Sequence, residues 1–366
     1  MDLSELIRPE IRSLVPYSPG KSSDEVRREL GLEEIVKLAS NENPLGPSPK
    51  AVAAMREAAP EVLYYPDPTW RELTEALAGK FNVPPECVVV GRGSDEIIHM
   101  AGLAVLEPGD EVVFSDPPFA LYPLTAKLLR GKPVPVPARD LRHDLGAMAD
   151  ACTDRTRLIF ISNPYNPCGT IVRQLEVDRF LDRVPERALV ILDEAYAEYV
   201  DDPDYPRSLE YVREGRPVVV LRTFSKIYAL AGLRVGYGFA PPPLARGLIQ
   251  ACEPFNVSSL AQAAALASLD DDEQVARSQQ MVWEGREFFY RELDRLELPY
   301  APTQANFIYV DVKMHCTRCF QGLMRRGVTV RTGDVFGMPT WIRVTIGTME
   351  HNRTALRHLE AVLEEQ

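Results

Sequence analysis

The sequence predicts an α/β protein, with a mostly parallel seven-stranded sheet in a large domain and a smaller α+β domain beside it. Three observations point there. From about residue 83 to residue 240, short apolar runs alternate with segments of helical periodicity, the pattern of parallel strands joined by crossover helices. After Pro254 the pattern changes to longer helices and more widely separated strands. The 366 residues, 45% of them hydrophobic, suffice for about two domains and bury enough surface to need no disulfide or structural metal.

In order, the candidate strands of the large sheet are 87–90, 111–114, 132–137, 158–162, 189–192, 218–221 and 233–239. Residues 95–106, 119–129 and 174–183 repeat apolar side chains at three- and four-residue spacing, as helices lying on a sheet do. In the second domain 271–296 is a long helix, 306–312, 328–331 and 341–346 are strands, and a last helix at 355–364 puts Leu356, Leu359 and Leu363 on one face. The amino-terminal helix is expected to join that domain. Residues 36–254 then form the large domain, and 1–35 with 255–366 the small one. Proline-rich spots at 44–49, 133–137 and 241–243 read as loops or edge strands, because proline removes a ladder donor.

A formal net charge of −12 gives no positive field for nucleic acid or an anionic membrane, so any anionic ligand must be held by local arginines and backbone amides. No stretch approaches about 18 uninterrupted apolar residues, and the amino terminus has no basic flank before an apolar block. A soluble, cytoplasmic protein is expected. The scattered cysteines at 87, 152, 168, 252, 316 and 319 fit reduced thiols. Cys316-x-x-Cys319 beside His315 resembles half a zinc site, but no second pair completes it, and two small residues on a helix is the plainer reading. No metal is expected.

Of eight lysines, Lys226 stands apart. It follows the apolar run 218–221 and sits between Phe224 and Ile227, at a strand's carboxyl end, where α/β sheets place ligands. Desolvation there favours the neutral, nucleophilic amine. The plainer alternative is a lysine snorkelling from a loop. Asp193, with Glu194, ends another apolar run. A pyridine ring is an electron sink only while its nitrogen is protonated, and a partly buried carboxylate keeps that proton in place. Tyr196, three residues on, is within reach of such a ring's phenolic oxygen, whereas a helix cap is the ordinary role for an acid at that point. Asn166 lies in the rigid turn Asn163-Pro164-Tyr165-Asn166-Pro167-Cys168-Gly169 after a third run. Finally, Gly91-Arg92-Gly93-Ser94-Asp95-Glu96 leads from a strand into a helix, so its amides would face an anion, with Ser225 and Arg234 completing a phosphate cup. It also resembles a truncated dinucleotide fingerprint lacking the third glycine.

The ordered set of strand-end Asn-Pro-x-Gly, Asp-x-x-Tyr and Ser-Lys before Gly-Leu-Arg resembles the fold type I aminotransferases, which depend on pyridoxal phosphate. Within that superfamily the chain is similar, nearly end to end, to the class II histidinol-phosphate aminotransferase group. The shared marks are segments 16–21, 37–46, 65–67, 93–96, 254–257 and 341–348. The resemblance implies that Lys226 carries the cofactor as a Schiff base and moves the proton during transamination, that Asp193 pairs with the ring nitrogen, and that Asn166 and Tyr196 contact the ring oxygen. Phe119 would stack on the ring, while Ser94, Asp95, Ser225 and Arg234 receive its phosphate. It further implies a homodimer with shared sites, in which Tyr65 and Tyr17 reach into the neighbouring subunit's site. Arg343 would hold the substrate carboxylate as a bidentate fork. Arg331 with Tyr17 would hold the phosphate of histidinol phosphate, with glutamate and 2-oxoglutarate as the other amino donor and acceptor in histidine biosynthesis. A surface salt bridge is the ordinary role for such an arginine.

Three positions depart from the group's usual pattern: Cys168 in place of threonine, Phe119 in place of tyrosine and Ser258 in place of asparagine. An aromatic amino-acid aminotransferase of the same subgroup shares the cofactor residues and differs at the distal end of the substrate. A decarboxylase of phosphorylated amino acids is a more distant sibling. A nucleotide-binding α/β protein or a non-catalytic relative would have no use for both Lys226 and Asp193.

Overall fold

The computed structural model describes residues 2–12, 14, 23–32 and 34–365. All seven candidate strands of the large sheet form: β1 (Val88–Gly91), β2 (Glu111–Asp116), β3 (Lys132–Pro137), β4 (Thr156–Ser162), β5 (Leu189–Asp193), β6 (Val218–Thr223) and β7 (Gly236–Phe239). They lie in the order β1-β7-β6-β5-β4-β2-β3. Only β7 runs against its neighbours, being antiparallel to β1 and β6, while the other pairings are parallel.

Alternation along each apolar run divides the core into two layers. Ile159, Ile161, Val190, Leu192, Val218 and Val220 enter one cluster, and Leu158, Phe160, Leu189, Ile191, Val219 and Leu221 enter the other. The second layer is closed by helices Ser94–Val105, Leu121–Leu128 and Pro242–Gln250. Strand β3 is an edge, as its prolines require. Lys132 and Ala138 donate toward β2, so Pro133, Pro135 and Pro137 turn their missing donors to the side with no neighbour.

The second sheet has four antiparallel strands in the order Arg331–Thr332, Trp341–Thr345, Phe307–Asp311 and Tyr300–Ala301. Helices Asp272–Arg295, Cys316–Met324 and Met349–Glu364 accompany it. The expected single strand at 328–331 is divided: Val328–Thr329 pairs in parallel with Val36–Lys37, and after Val330 the chain joins the four-stranded sheet. Residues 241–243 are not simply a loop, because Pro242 opens a helix, where a missing N–H costs nothing. The last helix starts at Met349, earlier than its leucine stripe suggests, because the Thr348 side chain accepts from His351 N as an N-cap. Cys316 and Cys319 sit fully buried on their helix, and His315 is spent capping it through Thr317 N.

Arg8 and Glu10 of the amino-terminal arm meet the large sheet's helix Leu121–Leu128 and the turn after it, whereas Leu32 and Glu34 border Gly327 in the carboxyl-terminal part. Arg8 donates to Leu128 O at 3.1 Å, and Glu10 faces Arg130 at 3.8 Å.

Candidate active site

The carboxyl ends of β4, β5 and β6 point into one cavity, where loops must converge in a parallel sheet. Its inner chamber, about 150 Å³, lies over Asp193 and reaches Ser94, Ser225 and Arg234. An outer chamber of about 180 Å³ shares Phe119, Asn166, Tyr196 and Lys226 with it and extends to Arg331 and Arg343.

Asp193 terminates β5 and is buried. Burial raises its carboxyl to about 6, against the opposing hydrogen bond from Tyr122. Tyr122 Oη donates to Oδ2 at 2.8 Å, and Ala195 N donates to Oδ1 at 3.3 Å. Lys226 follows β6 through a turn in which Thr223 Oγ1 accepts from Ser225 N at 3.1 Å. Its Nζ donates to Ser40 O at 3.0 Å and lies 5.6 Å from the centre of the Tyr196 ring. Burial first, and then the charge of Arg343, push the amine down to about 8. By contrast Lys37, Lys80 and Lys132 lie in surface ion pairs.

Tyr196 is buried, and its hydroxyl accepts from Asn41 Nδ2 at 3.1 Å. Asn41 is itself buried with φ +57°. Its backbone N donates to Thr345 Oγ1 at 2.9 Å, and its carbonyl accepts from Asn306 Nδ2 at 3.0 Å. Ala39, Ser40 and Asn41 thus contact Arg343, Lys226 and Tyr196 in turn.

At the other end, Ser94 and Asp95 open the helix Ser94–Val105, the anion-attracting terminus of its dipole. Arg234 Nη2 donates to Asp95 Oδ2 at 2.9 Å, and Nη1 lies 3.4 Å from Ser225 Oγ. The space depends on two glycines. A Cβ on Gly236 would lie 2.4 Å from Ser94 N, and one on Gly93, whose φ is +76°, would lie 2.6 Å from Arg234 Nη2. Arg343 is buried between Phe307 and Phe336, at 5.2 and 5.7 Å from their ring centres. It donates to Asn166 Oδ1 at 2.5 Å and Ala39 O at 3.1 Å.

Of the residues singled out from sequence, Ser94, Asp95, Phe119, Asn166, Asp193, Tyr196, Ser225, Lys226, Arg234, Arg331 and Arg343 all line this cavity. Tyr65 does not; it is 81% exposed and stacks on Phe255 at 4.6 Å. Tyr17 lies outside the described residues. Asn41 and Tyr122 went unnoticed in the sequence. Asn41 had only its place in the run Ser40-Asn41-Glu42-Asn43, and Tyr122 reads as one more apolar helix position.

The arrangement suits a phosphorylated pyridine aldehyde: a buried acid for the ring nitrogen, an amine depressed toward neutrality, a hydroxyl for the ring oxygen and a cradle that a Cβ would fill. Comparison with known proteins agrees with this. The aminotransferase class I and II family profile matches residues 33–359. The chain is 51% identical to the histidinol-phosphate aminotransferase of Moorella thermoacetica over 97% of its own length and 92% of the relative's. It is 45% identical to histidinol-phosphate aminotransferase 2 of Carboxydothermus hydrogenoformans over 98% and 99%. The crystal structure of histidinol-phosphate aminotransferase from Sinorhizobium meliloti in complex with pyridoxal-5'-phosphate is similar with a TM-score of 0.90 at 28% identity, covering 98% of both chains. Aspartate aminotransferase from Thermus thermophilus with maleate, at 22% identity and a TM-score of 0.84 over 97% of this chain and 99% of that one, shares the fold. The chain belongs to the class I and II aminotransferases.

Proposed function

We propose that this chain is a pyridoxal-phosphate-dependent aminotransferase interconverting L-histidinol phosphate and 2-oxoglutarate with imidazole-acetol phosphate and L-glutamate, a step of histidine biosynthesis. The observation that carries this reading is a single cavity holding Lys226 and Asp193 inside and two arginines, Arg331 and Arg343, at its outer end. The names of the curated relatives and the cofactor named with the Sinorhizobium structure support it.

When bound, pyridoxal phosphate supplies an electron sink conjugated to the substrate nitrogen. The residues of this chain do the rest. Asp193 would hold the proton on the ring nitrogen, and Tyr196, set by Asn41, would face the ring oxygen together with Asn166. Phe119 walls the ring. Ser94, Ser225, Arg234 and the backbone at Asp95 bind the phosphate, while the Asp95 carboxylate steadies Arg234. Lys226, its amine pushed down to about 8, would anchor the cofactor and would take and return the substrate's α-proton. Arg343 receives the carboxylate of glutamate or 2-oxoglutarate, exchanging its contacts with Asn166 and Ala39 for a charged fork. Arg331 receives the phosphate.

The division into residues 36–254 and residues 1–35 with 255–366 puts these two arginines on one part and Lys226 with Asp193 on the other. Val62, Leu63, Tyr64 and Tyr65 are exposed beside Phe255, an apolar surface that supports a homodimer in which the partner subunit's Tyr65 and the partner subunit's Tyr17 complete the site. No described helix is long and apolar enough to cross a membrane, and we assign the enzyme to the cytoplasm, with small molecules rather than nucleic acid or membrane as its ligands.

Mixing the cofactor-loaded protein separately with histidinol phosphate, glutamate and phenylalanine, and following the visible absorbance of the bound cofactor, tests this. Fast spectral change with the first two and slow change with phenylalanine is expected. An equal or faster response to phenylalanine would transfer the assignment to the aromatic amino-acid aminotransferases.

A further inference from the structure

We propose that Tyr122 is a positioning residue for Asp193: it fixes the carboxylate's orientation and keeps it an anion, so that the shared proton stays on the cofactor's ring nitrogen. This rests on the reading above of Asp193 as the acid beside that nitrogen.

The geometry leaves the phenol little freedom. Tyr122 is 2% exposed, and its ring lies parallel to Phe160 of β4, with centroids 4.3 Å apart and planes within 3°. On another side it meets Phe119 edge-on at 5.5 Å and 81°. Held by these two rings, the hydroxyl donates to Asp193 Oδ2 at 2.8 Å. The other carboxylate oxygen takes the backbone N–H of Ala195 at 3.3 Å. Each oxygen therefore has a donor that fixes the plane of the carboxylate, and lone pairs remain for the cavity. Phe119, which lines that cavity, lies three residues before Tyr122, just ahead of the helix Leu121–Leu128, so one short segment sets both a wall of the ring site and the acid beneath it.

The electrostatic consequence concerns one proton between two bases. A carboxylate buried without donors is a strong base, because desolvation penalises its anion. Against a pyridine nitrogen it would take the proton, leave two neutral partners and weaken the electron sink. A hydrogen bond to the anion reverses that preference. Among the influences on Asp193, the Tyr122 hydrogen bond is the largest that opposes burial. The phenol itself is pushed well above its ordinary range by burial and then by Asp193, so it stays a donor across the working pH range. Phenylalanine would fill the same space between Phe119 and Phe160; the hydroxyl therefore serves Asp193 and not the packing.

The test uses holoenzyme reconstituted with pyridoxal phosphate labelled with ¹⁵N in the ring, comparing wild type, Tyr122→Phe and Phe160→Leu. A fourth protein carries 3-fluorotyrosine at position 122, which keeps the packing and makes the donor stronger. In Tyr122→Phe the ring-nitrogen resonance moves toward the unprotonated position, the cofactor Kd rises and the glutamate half-reaction slows by about tenfold, the scale of a hydrogen bond to a charged group. The fluorinated residue holds the resonance at the protonated position to higher pH than wild type does. Phe160→Leu lowers Tm and moves the resonance less than Tyr122→Phe does, because the hydroxyl is retained. The proposal is overturned if Tyr122→Phe leaves the resonance and Kd unchanged, if Phe160→Leu moves the resonance as far as Tyr122→Phe does, or if the fluorinated residue has no effect. A wild-type chain that fails to bind pyridoxal phosphate would instead overturn the functional reading on which the proposal stands.

Discussion

Arg331 and Arg343 stand directly opposite one another on adjacent antiparallel strands. Partners in such a register present their side chains on one face of the sheet, where like charges are unfavourable by a few tenths of a kcal/mol up to about 1 kcal/mol. Both line the outer chamber, and they differ in setting. Arg343 is buried between two aromatic rings and already forked onto two oxygens, a geometry that suits a planar carboxylate. Arg331 is only partly buried, which suits a more hydrated phosphate.

Arg331→Ala should therefore raise KM for histidinol phosphate by about tenfold to a hundredfold, the range for a lost hydrogen bond to a charged group, with a smaller effect on glutamate. Arg343→Ala should fall mainly on glutamate and 2-oxoglutarate, with a loss of about 3–5 kcal/mol in transition-state binding because the buried anion loses its partner. Steady-state kinetics with each substrate varied in turn distinguishes the two. Equal effects of both variants on all substrates would remove the division of labour.

The depressed amine of Lys226 has a consequence for stability in the absence of cofactor. In the folded chain it titrates near 8, whereas an unfolded lysine titrates near 10.4. Below pH 8 the folded protein carries the full cost of a charged amine beside Arg343. Between about 8 and 10.4 that cost fades, and above it both states are neutral. Cofactor-free Lys226→Ala should thus be more stable than cofactor-free wild type at pH 7, by about 1 kcal/mol after solvent screening, with the advantage vanishing toward pH 10.4. Urea denaturation at several pH values measures it. An advantage that grew with pH would contradict the assignment of the shift.

The parts of the site legible in the sequence share one property: each follows an apolar run that can only be a buried strand. Asp193 after 189–192, Lys226 after 218–221 and Asn166 after 158–162 were placed by the rule that parallel sheets bind ligands at strand ends. The prolines of β3 announced an edge for an equally local reason, a missing donor. Asn41, although inside the shared segment 37–46, carries no local sign of its role, and Tyr122 escaped because nothing local marks it. Their partners, Tyr196 and Asp193, lie 155 and 71 residues away, and only tertiary packing brings them together. The division of the strand at 328–331 was hidden for the same reason, since Val328 and Arg331 find partners as distant as Val36 and Arg343.

Gly236→Ala should damage the cofactor's phosphate site without touching a charged residue. The added methyl would meet Ser94 N at 2.4 Å and the carbonyl carbon of Gly93 at 2.7 Å, which are backbone atoms unable to rotate aside. The helix terminus must shift away from β7, costing about 1–3 kcal/mol in stability, as overpacking does. Cofactor Kd should rise more than KM for either substrate, as absorbance titration of the cofactor-free protein will show. A variant with wild-type Kd would place the phosphate elsewhere than the amides at Ser94 and Asp95.

Asn41 joins two demands that substitution can separate. Its backbone is left-handed, with φ +57°, a region that asparagine and glycine enter readily and alanine enters only at a cost of about 1–2 kcal/mol. Its side chain donates to the Tyr196 hydroxyl, and its Oδ1 accepts from Thr345 Oγ1 at 3.2 Å. Asn41→Ala loses both and should destabilise the protein by about 2–4 kcal/mol, the backbone cost added to that of buried groups left without partners. Asn41→Gly relieves the backbone but still strands Tyr196 and Thr345, so it should recover part of the stability while keeping the fall in kcat. Thermal melts and half-reaction rates on the two variants test this together. If Asn41→Gly restores kcat as well as stability, Asn41 matters for its backbone conformation alone, and the phenol of Tyr196 needs no partner to face the ring oxygen.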